Sequence, residues 1–563
     1  MPYSLLLGLA TPLLPILGSE LLLLVVLLFL LLQALRGEVI WPRWANPILL
    51  VFAAWTIAEL CWGFDRATWE MVWNGTIGSS DGGFENLWLV FVSSPPFAWT
   101  VALCFLRFLA IAALASFFNR YEHERERFLS GLELGLAGSA VLTTALIAFP
   151  GSWIAPNQSD FWTSLSRVSG TFSDPNAFGI FIVLVLPLLA WRAQQSQGIR
   201  RACLLALSAV WVILGAFSGS RSFFLGLGIY LVLLALRAGK RTTLVMLFAA
   251  GFGVLVLNVA AGLAPQEFNT LVAQAPEGAR RVLRALLIAH SAETFFSRFA
   301  FWSIGWRMWL DNIFFGLGFE HFRLHVPEYS RSLGFAIGAW TDNSNNFYLG
   351  LLAETGLLGA LAFLMTLSAL HWKESPPNRF AKSALLALAV LLLFGPHIAF
   401  TEVAILCALL LALGCDFQPR SWSRSTYVLA AFLVAAILYR SSMLPRGFYA
   451  WEQEGAHAQR WTARQANDVL SCNSSGKATL SVRALTPNLE TSPVHLHLRA
   501  GEINREVELR DFAWQEIQLE CPAFETQSSQ RLELRYQLEV DRVWVPARVA
   551  GGADARILGV QVR

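Results

Sequence analysis

The stretch SELLLLVVLLFLLLQALR, Ser19 to Arg36, decides the class of this protein, because Leu21 to Leu35 contains no charge and a single polar residue, Gln33. Crossing a hydrocarbon layer of ~30 Å as a helix takes roughly 20 apolar residues, and this run approaches that length. Similar runs recur from Leu5 to about Tyr439, with the charges gathered between them. Of the 563 residues, 55% are hydrophobic and 14% charged, against about 25% charged in soluble domains. This excludes a soluble enzyme, a disordered regulator and a fibrous repeat. The net charge of +3 is too small to suggest nucleic acid as a partner.

Counting spans outward from this run predicts thirteen helices, near 3–17, 19–36, 46–62, 98–118, 129–149, 176–193, 202–218, 222–238, 242–263, 346–371, 383–399, 400–415 and 425–441. The first is expected to be a span rather than a signal peptide, since it lacks a basic leader and Leu-rich sequence resumes at once. Basic residues stay on the cytoplasmic side of short connections. One alternating set of loops holds sixteen of them, among them Arg36, Arg43, Arg120, Arg192, Arg237, Lys373 and Lys382, while the opposite set holds five. The N-terminus is therefore expected inside, with 63–97, 150–175, 264–345 and everything after about 443 outside. This divides the chain into a membrane domain, 1–443, and an outer domain, 444–563.

The outer loop 264–345 carries seven arginines, Arg280, Arg281, Arg284, Arg298, Arg307, Arg323 and Arg331, and no lysine. Arginine's planar fork grips phosphate bidentately, whereas lysine is a point charge. The alternative is an interfacial loop binding lipid headgroups; helical spacing at 279–290 and 297–310 suits short helices on the outer surface. After Gly447 the pattern alternates with period two at 478–483, 494–500, 506–509, 516–519, 531–540 and 557–562, which predicts an all-β sandwich. Cys472 and Cys521 are the cysteines outside the spans and could pair there.

Charges in or beside spans are functional candidates. Arg107 and Glu133 lie in consecutive spans, where a structural pair or snorkelling outweighs catalysis. Glu354, His397 and Glu402 could face an outward cavity, with buried hydrogen bonding preferred for His397. Arg221, in Ser218-Gly219-Ser220-Arg221, sits on the outer face, where orientation rules give no reason for it, so an anion such as phosphate is expected beside it.

With Arg167-Val-Ser-Gly170-Thr-Phe172-Ser-Asp174-Pro175-Asn176 before it, and Ser297-Arg298-Phe-Ala-Phe-Trp302, Phe315-Gly316-Leu-Gly318-Phe319, Asn345-Asn346-Phe-Tyr348 and Glu354-Thr-Gly356-Leu-Leu-Gly359 after it, this segment resembles the O-antigen ligase and O-antigen polymerase superfamily over about 130–370. The resemblance implies a C-type glycosyltransferase at the outer face of the bacterial inner membrane. Its donor would be a polyprenyl-diphosphate (undecaprenyl-type) glycan, with no cofactor and no metal. Arg221 and Arg298 match the two key arginines of the family and are expected to stabilise the diphosphate leaving group. Arg167, Asp174, Asn176, Asn346, Tyr348, Glu354, Arg280 and Arg281 are the candidate substrate contacts.

One departure matters: Asn345 stands where ligases carry a histidine implicated in acceptor activation. Asparagine cannot serve as a base, so Asp342 is the nearest carboxylate for that role, with Glu320, His321 and Glu354 as rivals. Asn345 could instead cap the following helix. The missing histidine favours a polymerase of an exopolysaccharide or cell-surface glycan over a ligase acting on lipid A core or protein. Outside the enzyme class, a transporter or binding protein for lipid-linked glycan is the alternative, though no nucleotide-binding motif supports it. Membrane lipids, a glycan acceptor and a chain-length regulator are the expected partners. In the β-domain, Trp451, Trp461, Trp514 and Trp544 could stack on sugars or fill the core.

Overall fold

The computed structural model describes residues 3–38, 41–62, 97–149, 167–238, 270, 273–274, 292–335, 343–374, 378–417, 424–442, 444, 446–449, 452–454, 457–473, 475–521, 533–544 and 558–563. Its membrane part contains α1 Tyr3–Leu13, α2 Ser19–Leu35, α3 Asn46–Trp62, α4 Phe97–Arg120, α5 Glu122–Ala148, α6 Pro175–Gln195, α7 Gly198–Phe217 and α8 Arg221–Ala238. It continues with α9 Ala292–Asp311, α10 Phe322–Ser332, α11 Phe347–Leu367, α12 Asn378–Leu391, α13 Thr401–Gly414 and α14 Arg424–Ser441.

Among the described residues, six helical stretches are long and apolar enough to span a membrane: Arg43–Cys61, Val101–Arg120, Glu122–Ala148, Pro175–Gln195, Gly198–Phe217 and Phe347–Leu367. Shorter apolar helices cover Tyr3–Leu17, Ser19–Leu35, Arg221–Leu233, Thr401–Gly414 and Ala430–Ser441. The expected span at 242–263 lies outside the described residues. Packing explains why short helices suffice: α1 lies against α5 at glycines, where a Cβ on Gly8 would strike the Phe128 carbonyl and one on Gly131 the Leu5 carbonyl. Small residues let backbones approach this closely when lipid supplies no hydrophobic drive. The apolar helix α6 is the axis of the bundle, with Phe178, Ile180, Phe181, Ile182, Val183, Leu184 and Val185 all buried.

Arg107 and Glu133 do not pair. Glu133 accepts from Arg192 Nε at 2.5 Å and Arg200 at 3.0 Å, and Arg192 also reaches Glu126 at 2.7 Å. Arg107 donates from Nε to Thr401 Oγ1 at 3.3 Å.

The helix α11 is broken at Gly356, whose φ of 63° belongs to the left-handed region. The break frees backbone groups in mid-helix, and a buried one left unpaired is costly. The segment before α10 takes them up: Leu317 and Gly318 donate to the Ala353 and Glu354 carbonyls at 2.9 and 3.0 Å, while Leu357 and Leu358 donate to Ile313 and Phe314 at 2.8 and 3.2 Å. A Cβ at Gly316 or Gly356 would collide with the backbone of the facing segment. The Phe315–Phe319 and Glu354–Gly359 motifs are thus two halves of one backbone junction.

The strands are β1 Leu370–Trp372 and β2 Cys415–Phe417, which pair with each other, then β3 Arg446–Phe448, β4 Glu452–Glu454, β5 His457–Ser471, β6 Lys477–Arg483, β7 Val494–Ala500, β8 Ile503–Leu509, β9 Gln515–Glu520, β10 Glu533–Val540 and β11 Gln561–Val562. The last nine form one sheet in the order β8-β7-β10-β5-β11-β6-β9, with β3 and β4 also on β5. The long strand β5 carries pairing from one half to the other, so the sheet curls barrel-like around a shared core rather than separating into two sheets. Leu480, Val482, Leu496, Leu498, Leu509, Leu519 and Leu538 fill that core. Cys472 and Cys521 are disulfide-bonded, with Cα atoms 6.3 Å apart. Trp461 is buried beside Tyr449 and Leu558, and Trp514 lies under the guanidinium groups of Arg483 and Arg563. Trp451 lies outside the described residues.

Candidate functional site

Three arginines from three separate segments converge. Arg167 precedes α6, Arg221 opens α8, and Arg298 lies in α9. The Ser218–Arg221 turn is built by hydroxyls: Ser218 Oγ accepts from Ser220 N–H at 3.1 Å, and Ser220 Oγ from Phe223 N–H at 3.4 Å, which caps α8. Arg167 is locked to this turn, donating from Nε to the Ser218 carbonyl at 3.0 Å and from Nη2 to Asn176 Oδ1 at 2.9 Å. Asn176 Oδ1 also accepts from Ser220 Oγ at 3.2 Å. Asp174 caps α6 by accepting from Asn176 N–H and Ala177 N–H at 2.6 and 3.1 Å, with Pro175 at the favoured first helical position.

Burial, with the positive charges of Arg221 and Arg298 added, pushes the Arg167 guanidinium down to about 10; Asp174 pulls the other way. Burial raises the Asp174 carboxyl, partly offset by the two N–H groups it accepts from. Three fixed cations with one capping carboxylate suit an oxyanion ligand with more than one negative charge. Arg298 lies within electrostatic reach of His397 as well, which brings the α12–α13 turn against the cluster.

Beside this cluster opens a cavity of about 370 Å³, within the ~300–1,000 Å³ usual for ligand sites. Ser173, Asn343 and Pro396 are on its wall and connect it in sequence to Asp174, Asn345 and His397. The polar lining comprises Glu20, Cys104, Arg107, Glu320, Arg323 and Glu354, and phenylalanines including Phe52, Phe319 and Phe347 supply the apolar faces. Glu354 Oε1 accepts from Phe322 N–H at 3.2 Å, capping α10. Glu320 accepts from the Cys104 thiol at 2.8 Å and holds a left-handed φ of 65°, a conformation that non-glycine residues adopt rarely and mostly at constrained sites.

The sequence candidates sort as follows. Arg167, Asp174, Asn176, Arg221 and Arg298 are brought together, and Glu354 and Glu320 line the cavity. Asn345 has a φ of 51° and does not cap α11. Asn346 does, accepting from Leu349 N–H at 3.0 Å, while the Asn345 carbonyl accepts from Trp302 Nε1 at 3.3 Å. Tyr348 donates its hydroxyl to the Ala389 carbonyl at 2.8 Å, tying α11 to α12. His321 is buried 3.5 Å from Glu59, away from the cavity. Of the three expected cavity groups only Glu354 faces it; Glu402 is buried, accepting from Ser19 at 2.8 Å, and His397 is buried with Nε2 lacking a hydrogen-bond partner among the described residues. Asp342, Arg280 and Arg281 lie outside the described residues. Glu20, Cys104 and Arg323 were not singled out as site residues; Cys104 lies one turn before Arg107 on α4, the one pointer available in the sequence.

Fold and site together define a multi-pass membrane protein that presents clustered guanidinium groups beside a carboxylate-bearing cavity. A sequence model of the O-antigen ligase family matches residues 202–364, which supports the O-antigen ligase/polymerase superfamily for this chain. Members of that family are glycosyltransferase-like ligases and polymerases acting on lipid-linked glycans. The match includes Arg221, Arg298, Glu320, Asn345 and Glu354, and leaves out Arg167 to Asn176. A search of the curated proteins found no match to the chain.

Proposed function

We propose that this protein polymerises polyprenyl-diphosphate-linked repeat units at the outer face of the bacterial inner membrane, the reaction being a direct displacement with inversion at the anomeric carbon. The observation that carries the reading is the convergence of Arg167, Arg221 and Arg298 next to a cavity bearing carboxylates. The acceptor hydroxyl attacks the anomeric carbon, the bond to the phosphate oxygen breaks, and the electron pair leaves with the diphosphate. Guanidinium groups fixed before the reaction stabilise that growing charge without reorganising. Arg221 and Arg298 act on the diphosphate, and Arg167, held by Ser218 and Asn176, sets their spacing. The proton passes to a carboxylate near Asn345: Asp342, Glu320 or Glu354.

Asparagine at 345 supports a polymerase over a ligase, since the acceptor-activating histidine of ligases is absent. In this reading about thirteen spans form the domain 1–443, its N-terminus is cytoplasmic, and the β-domain 444–563 is periplasmic. Arg280 and Arg281 are further candidate substrate contacts, and a chain-length regulator is a candidate partner. The test is transfer by purified Arg221→Ala and Arg298→Ala proteins that still elute as folded monodisperse species. Loss of transfer in both is expected. Wild-type rates in both would remove the arginines, and with them the reading.

A further inference from the structure

We infer that the cavity is the acceptor subsite, that it takes a sugar ring, and that Glu320 is the base that accepts the hydroxyl proton. This rests on the glycosyl-transfer reading and deepens it. The cavity combines apolar aromatic faces with groups that can only accept or only donate hydrogen bonds, three carboxylates and two guanidinium groups. Sugars match that lining, presenting apolar ring faces and hydroxyls that donate and accept.

The two carboxylates nearest each other have different work. Glu354 is engaged by backbone N–H groups of Glu320 and Phe322, so it holds the start of α10 in place. It is a positioning residue. Among the described residues Glu320 accepts a single side-chain hydrogen bond, from the Cys104 thiol, and a thiol is a weak donor. Its carboxylate lines the cavity in which the acceptor would lie. In the step proposed, the acceptor oxygen bonds to the anomeric carbon, its proton goes to Glu320, and the diphosphate leaves with the electron pair toward the arginines.

The test uses the full-length protein in nanodiscs with lipid-diphosphate-linked repeat unit extracted from the producing cells. Undecaprenyl diphosphate binding is measured separately, as a readout of the arginine cluster. Glu320→Gln is expected to lower transfer by about 10²–10⁴-fold, the usual worth of a general base. Diphosphate binding should stay unchanged, and the acidic limb of the pH–rate profile should disappear. Glu320→Asp should recover part of the rate. Wild-type transfer by Glu320→Gln together with loss in Asp342→Asn would overturn the assignment and move the base to Asp342. If wild-type protein transfers nothing yet binds undecaprenyl diphosphate, the transfer reading itself fails and this inference falls with it.

Discussion

Replacing Gly356 by alanine isolates the backbone junction that positions Glu320 and Glu354. Two costs add. A left-handed φ imposes about 1–2 kcal/mol on an L-residue. The new Cβ also meets the Phe314 carbonyl, so the two segments must part. Four hydrogen bonds cross there, at 2.8 to 3.2 Å, and each contributes about 0.5–1.5 kcal/mol net. Losing two of the four costs about 1–3 kcal/mol, which with the conformational cost gives about 2–5 kcal/mol for the substitution. Gly228 provides the control, since nothing lies within 4 Å of a Cβ there, and alanine in that helix interior should be neutral or stabilising by up to ~1 kcal/mol. Equilibrium unfolding in mixed SDS micelles measures both. A Gly356→Ala protein as stable as wild type, with full transfer activity, would refute the claim that this junction holds the site.

Arg221→Lys and Arg298→Lys should each lower transfer by about 10²–10³-fold despite keeping the charge, because the bidentate fork is lost; near-wild-type turnover would reduce these residues to unspecific cations. Asp174→Ala should destabilise by about 0.5–2 kcal/mol while Asp174→Asn, still a good cap, changes little; SDS unfolding compares them, and equal losses would mean that its charge rather than its cap matters. Arg167→Ala should weaken diphosphate binding by loosening the turn that Arg167 holds through Ser218 and Asn176; unchanged affinity would remove Arg167 from the anion site. The disulfide closes a loop of 49 residues, so Cys521→Ser should cost the β-domain about 4 kcal/mol in the chain-entropy account, seen as a lower denaturation midpoint that reductant also produces in the wild type.

The membrane character was legible because hydropathy is a local property: apolar runs such as Leu21 to Leu35 need no knowledge of their neighbours. Span length was less so. Helices such as α1, α12 and α13 are too short to cross alone, and only packing on α5 and α6 explains them. The strand β5 escaped detection because its buried positions include Ala463 and Ala466, which give alternation little contrast. Within the site, Arg221 stood out because orientation rules give no reason for an arginine there, whereas Arg167 and Arg298 were legible only through the motifs that carry the family resemblance. The functions of Asn346 and Tyr348 did not, since a helix cap and a hydroxyl bond to Ala389 depend on where the chain turns. The cavity itself joins residues as far apart as Glu20, Cys104 and Glu320, a juxtaposition that no spacing rule reveals.

Sizing the glycans formed by purified protein from a short polyprenyl-diphosphate-linked repeat unit, with no other acceptor, tests the central claim most directly. A ladder of increasing length, absent with Arg298→Ala, is the predicted result. Transfer that begins only when lipid A core or a protein is added would make the enzyme a ligase, and a donor left intact under both conditions would contradict catalysis altogether.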